Sequence, residues 1–220
     1  MENSVKFPHL LKAAIFEGLE PDFKTAFLNA CSEKIFQSET IVLEQGEPSV
    51  GMIIVAHGYV DVTYVGEDGR QLFLVRSRAG SVLGEVEAIS DGPCAATCTT
   101  SKQAILLFCY KPQLIEALRS LGFIKNITKI FHQRRVKDNL LKHIRQFGSV
   151  ETRLRSHLFI LSETGRKVGE TQSYLAAVVG CSRQTINREL SKLRQAQIIR
   201  QEGNEIIVLD RAALQKDTGL

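Results

Sequence analysis

Arg183, Gln184, Asn187 and Arg188 crowd a short stretch of chain, and the chemistry such side chains can do is hydrogen bonding to the flat edges of nucleic-acid bases. An arginine guanidinium offers two parallel N–H groups that match N7 and O6 of guanine, while glutamine and asparagine pair a donor with an acceptor and suit adenine. Lys192, Arg194 and Arg200 extend the positive charge, and Glu189 is the sole acid between Ser182 and Arg200. A surface of that sign suits phosphates, so the expected partner is a double-stranded DNA operator.

Base readers need a rigid carrier. Ser182 is placed to cap a helix written SRQTINRELSKLRQAQ, in which Ile186, Leu190 and Leu193 point inward. The DNA-contacting set is then Ser182, Arg183, Gln184, Thr185, Asn187, Arg188, Lys192 and Arg194, with Lys192 and Arg194 directed mainly at phosphate. Upstream, TQSYLAAVVG reads as a helix capped by Thr171 and ended by Gly180, with Leu175, Ala176 and Val179 on its buried face. A sharp turn at Gly180-Cys181 joins the two. Downstream, IIRQEGNEIIVLD reads as a hairpin turning at Gly203-Asn204. Two helices across a tight turn, with a hairpin beside them, make a winged helix-turn-helix. A structural helical hairpin with a solvated basic face is the rival reading, and the coincidence of caps, turn, outward polar set and hairpin argues against it.

Ahead of this segment, short β-branched and aromatic runs broken by glycines extend from Lys34 to Tyr110, which predicts a small antiparallel sandwich or roll. Asp68-Gly69 is the dipeptide a hairpin turn selects. The spacing of Phe23, Ala26, Phe27 and Ala30 predicts an amphipathic helix over 21–36. From about Ser120 to Phe147 there is no proline, and Gly122 near the start is the only glycine, so one long helix is expected. A helix of about 28 residues is ~42 Å long, more than a small domain needs, and an apolar stripe of that length suggests a parallel partner helix. Ile127, Ile130, Phe131, Leu141 and Ile144 are the expected homodimer interface, with packing on the chain's own sheet as the alternative. Gly148-Ser149 ends the helix. The expected boundaries are therefore 1–119, 120–148 and 149–220.

The 220 residues, 44% hydrophobic and 24% charged, can bury an ordinary core, and the net charge of +4 permits nucleic-acid binding without demonstrating it. No segment reads as a secretory signal or a membrane span, so a cytoplasmic protein without membrane association is expected. Five cysteines, Cys31, Cys94, Cys98, Cys109 and Cys181, are an odd number and read as reduced thiols. Cys94 and Cys98 lie ~13 Å apart if extended, too far for direct pairing without a bend. His9, His57, His132, His143 and His157 show no metal-ligand spacing, and no Walker loop, GxSxG, HExxH or CxxC motif is present, so neither a metal site nor an enzyme is expected.

The stretch GCSRQTINREL, from Gly180 to Leu190, resembles the recognition element of the cyclic-AMP receptor and fumarate-nitrate-reduction regulator (CRP/FNR) family, and the similarity extends through GEDGRQLFLVRSRAGSVLGEVEAISDGP, the long helix and the wing. The resemblance implies an α+β fold: an N-terminal cyclic-nucleotide-binding-like β-roll that senses an effector, a long dimerisation helix, and a C-terminal winged helix-turn-helix on a two-fold operator. It names RNA polymerase as a candidate further partner. The implied effector pocket comprises Gly84, Glu85, Cys94, Ala95, Arg134, Arg135, Asp138 and Asn139. Here the chain departs from the family. Gly84-Glu85 match the ribose-binding pair, but Cys94 stands where a cyclic-nucleotide binder has the phosphate-binding arginine, and Asp138-Asn139 where the adenine is contacted. Loss of a hydrogen bond to a charged phosphate costs about 1.5 to 3 kcal/mol. The expected signal is a non-standard ligand or a redox change, with Arg134 or Arg135 as a replacement holder of an anion; binding of cAMP or cGMP despite the missing arginine is the alternative. The cofactor stays unknown.

Overall fold

The structure, a computed structural model, describes residues 1–69, 71–162, 166–203, 205–216 and 218. The chain forms two compact units, residues 1–132 and 133–220.

In the first unit α1 (Asn3–Lys6) and two 3-10 turns lead into α2 (Pro21–Ala30). Apolar spacing extends this helix to Phe36, whereas the structure stops it at Cys31 and makes Ser32–Phe36 strand β1, paired antiparallel with the strand Ala104–Tyr110. Backbone partners supplied from far along the chain outweigh local periodicity there. There follow β2 (Ile41–Leu43), β3 (Gly51–His57), β4 (Tyr59–Val65), β5 (Gln71–Arg78), β6 (Val82–Leu83), α3 (Glu85–Ser90), β7 (Thr97–Thr100), β8 (Ala104–Tyr110), α4 (Lys111–Ala117) and α5 (Leu121–Phe147). The strands form two antiparallel sheets, ordered β1-β8-β3-β6 and β2-β7-β4-β5. The β4–β5 hairpin turns at Asp68-Gly69 as the dipeptide requires, with Gly69 at φ +75°.

The first sheet is covered on both faces, which is why β3 is apolar without alternation. Ile53 and Val55 of β3, with Leu106 and Phe108 of β8, pack against Val60, Val62 and Cys98 of the second sheet. Met52, Ile54 and Ala56, with Leu107 and Cys109, pack the other way, against Phe27, Leu114 and Phe123 of the helices. Phe27 and Phe123 have ring centroids 5.1 Å apart. The buried Asn126 amide donates to Ile15 O and Glu17 O, each at 2.9 Å, and so ties α5 to the N-terminal turns.

In the second unit, the latter part of α5 is followed by α6 (Val150–Leu161), β9 (Lys167–Val168), α7 (Gln172–Val179), α8 (Arg183–Gln195), β10 (Ile199–Glu202), β11 (Glu205–Val208) and α9 (Arg211–Gln215). The three strands form one antiparallel sheet in the order β10-β11-β9. One core holds it together: Leu154 and Leu158 of α6, Leu175 and Val179 of α7, Ile186, Leu190 and Leu193 of α8, and Ile199, Ile206 and Val208 of the sheet.

Candidate nucleic-acid interface and effector pocket

The recognition segment is built from its caps. Thr171 accepts a hydrogen bond from Tyr174 N at 3.1 Å and starts α7; Ser182 accepts one from Thr185 N at 3.1 Å and starts α8. Each cap satisfies an amide the first turn leaves open. Between them Gly180 takes φ +70°, a left-handed C-cap where a side chain would be strained. Arg153 of α6 fixes the end of α7 from outside, its Nε donating to Val179 O at 2.8 Å.

With Ile186, Leu190 and Leu193 sealed in the core, Ser182, Arg183, Gln184, Asn187, Arg188, Lys192 and Arg194 are all exposed. Thr185 is half-buried and its hydroxyl lies 2.9 Å from that of Ser182, so its contribution is to the cap. Arg194 donates to Ser191 Oγ at 2.7 Å and to Gln201 Oε1 at 3.3 Å, which links α8 to the wing. The wing hairpin pairs Glu202 with Glu205 across its end; of the expected turn, Gly203 has φ +59° and Asn204 lies outside the described residues. Sequence reasoning missed two features. The start of α7 (Thr171, Gln172 and Ser173) shares a polar cleft of about 340 Å³ with Arg183 and Gln201, and its N-cap was the available signal. The other is Glu189, buried beneath Arg188 and Lys192; its place three residues after Ile186 and four before Leu193, on the inward face, and three before Lys192 was the available signal.

The implied effector residues divide between the units. Gly84, Glu85, Cys94 and Ala95 belong to the first; Arg134, Arg135, Asp138 and Asn139 lie on α5 in the second. Gly84 has φ +74° and a Cβ there would stand 3.0 Å from Gly51 O, so this turn into α3 admits only glycine without strain. Glu85 is buried, 1% exposed. Cys94 is 3% exposed, with its backbone held by Glu47 O and Gly46 N at 2.8 and 2.9 Å. Burial and, secondarily, the carboxylates of Glu87 and Glu47 push its thiol pKa up. Cys94 thus has acidic surroundings.

All five cysteines are thiols, none joined in a disulfide. Among the described residues no cluster of three or more His, Cys, Asp or Glu could hold a metal ion, and no helix is long and apolar enough to cross a membrane. The expected dimer set splits. Ile127 and Ile144 are 6% and 3% exposed, their apolar surface already spent within the chain, and Ile130 and Leu141 are half-buried. Phe131 is exposed, as are Leu121, Ile124, Val136 and Phe147.

A β-roll followed by a winged helix-turn-helix defines a class of transcription regulator with a DNA-binding domain. Residues 33–120 match the cyclic nucleotide-binding domain family and residues 141–217 the Crp-like helix-turn-helix domain family. The chain is 27% identical over 223 residues to a CRP-like cAMP-activated global transcriptional regulator of Mycobacterium tuberculosis, covering 93% of this chain and 96% of that protein. It is 23% identical over 207 residues to the cyclic AMP receptor protein of Thermus thermophilus, covering 92% and 95%. Among solved structures, the c-di-GMP responsive global regulator CLP of Xanthomonas campestris shares the fold at a TM-score of 0.69 and 20% identity, covering 86% of this chain and 99% of that one. The chain belongs to the CRP/FNR family of transcription regulators.

Proposed function

We propose that this regulator acts as a homodimer that reads an inverted-repeat operator, with α8 in the major groove and a signal other than cAMP received in its β-roll. The observation that carries the DNA reading is the exposed row Arg183, Gln184, Asn187 and Arg188 on the first turns of a capped helix whose opposite face is sealed. Dimerisation rests on the apolar residues left exposed on α5, Ile124 and Phe131 foremost. RNA polymerase is the further partner an activator of this kind would contact.

Several relatives are named as cAMP-activated, which makes cAMP the rival effector. Against it stands Cys94, a buried thiol between Glu87 and Glu47 where an anion needs a cation. A redox signal at Cys94 and Cys98 is disfavoured too, because both are buried and Cys94 has a raised pKa, while the thiolate is the reactive form. A non-standard ligand is the reading these facts favour. Selection from a random duplex library with the full chain tests the DNA reading: it should return an inverted repeat with half-sites about one helical turn apart. Enrichment of no sequence, or of a single unpaired half-site, would refute the homodimeric operator.

A further inference from the structure

The exposed side of α8 is basic, yet its one internal acid, Glu189, is 4% exposed. Helical spacing sets it one residue after Arg188 and three before Lys192, and both cations reach back to it. Lys192 Nζ donates to Glu189 Oε1 at 3.1 Å and lies 3.0 Å from Oε2; Arg188 Nε donates to the same Oε1 at 3.4 Å. The two cations remain 57% and 68% exposed, so the trio runs from the apolar core to the surface that carries the base readers.

Two consequences follow from the chemistry. Phosphate binding scales with the positive charge available and is blind to sequence, and Glu189 supplies inside the protein the counter-charge Lys192 would otherwise find on DNA. Base reading instead depends on where the guanidinium points. Glu189 engages Arg188 at Nε, the nitrogen nearest the chain, which leaves the two terminal nitrogens to meet N7 and O6 of a guanine.

We propose that Glu189 is a positioning residue that sets sequence specificity, by orienting Arg188 and by withholding Lys192 from indiscriminate phosphate contact. This rests on the DNA-binding reading above and changes the role expected of Lys192, from phosphate anchor to a charge already matched.

The test is a salt series on the full-length protein with two duplexes of equal length, the selected operator and one with its half-sites scrambled, for wild type, Lys192→Ala, Glu189→Gln and the double variant. Lys192→Ala alone should leave the slope of log K against log salt close to that of wild type. In the Glu189→Gln background the same change should reduce the slope by about 0.9, one phosphate's worth. Glu189→Gln alone should tighten binding to the scrambled duplex several-fold and narrow the operator preference by about tenfold, the order of one lost base contact. A purely structural role for Glu189 would weaken both duplexes together with no change of slope, and that result, or additivity across the four proteins, overturns the proposal. Should Glu189→Gln fail to fold, Lys192→Ala still decides it: a slope lowered by a full phosphate's worth in that single variant is the overturning result. If wild type binds both duplexes equally or neither, the DNA reading itself fails and this inference falls with it.

Discussion

Gln184, second residue of α8 after its Ser182 cap, is exposed and has no intramolecular duty in the cap, unlike Thr185. A side-chain amide donates and accepts and suits adenine, whereas a carboxylate only accepts and suits the amino group of cytosine. Gln184→Glu should therefore move the preference at one base pair of each half-site from A·T towards C·G by about 1 to 3 kcal/mol. Library selection with both proteins checks this, and identical consensus half-sites would mean that Gln184 does not read a base. His157 is a residue of another kind. It is 8% exposed, with its ring 5.9 Å from Tyr174, and burial and then the charge of Arg145 push its pKa from 6.5 down to about 4. The folded second unit thus favours neutral His157, and between pH 6.5 and about 4 the unfolded chain binds the extra proton. Stability should be full above pH 6.5, fall by about 3 kcal/mol as pH drops through that window, and level off below it. Native-state hydrogen exchange of the α6 amides should show this slope in wild type and lose it in His157→Phe. The same slope in both proteins would exonerate His157.

At the scale of the element, α5 carries two kinds of apolar residue that periodicity does not separate. Ile127 faces the first unit's core with Phe27 and Phe123, while Ile124 and Phe131 are 37% and 45% exposed. Replacing Ile124 and Phe131 together by glutamate should yield monomers in light scattering and abolish operator binding, with the melting of the β-roll little changed. Ile127→Ala should do the opposite, leaving the dimer mass intact and destabilising the first unit by about 2 to 5 kcal/mol, the usual cost of truncating a buried isoleucine. A dimer that survives the double change would place the interface elsewhere. α2 and β1 make a similar point: the amphipathic spacing of Phe23 to Ala30 was a sound guide to a helix, but nothing local announces that Ser32–Phe36 will pair with β8.

At the scale of the whole molecule, the effector site proposed for the first unit centres on Cys94. The departure at Cys94 is legible in the chain, and its acidic neighbours Glu47 and Glu87 are not, because a loop and a helix bring them there. A cyclic nucleotide deprived of its arginine loses about 1.5 to 3 kcal/mol, roughly ten- to hundredfold in affinity, before any repulsion is counted. Isothermal titration of the full chain should show neither cAMP nor cGMP binding below micromolar concentration. Cys94→Arg should tighten cAMP binding by about that factor, and a sub-micromolar constant for the wild type would overturn this reading of the pocket.

What the sequence determined by itself is what acts over a few residues: the caps Thr171 and Ser182, the left-handed Gly180, the turn at Asp68-Gly69, and the periodicity that turns Ile186, Leu190 and Leu193 inward and leaves Arg183, Gln184, Asn187 and Arg188 exposed. Those are statements about backbone dihedrals and helical spacing, which neighbours in sequence fix. Only the tertiary structure decided that Ser32–Phe36 is a strand, that Ile127 and Ile144 are spent within the chain, and that His157 is buried beside Arg145. Burial and charge pairing depend on partners that arrive from elsewhere in the chain, and a linear pattern carries no record of which partner arrives.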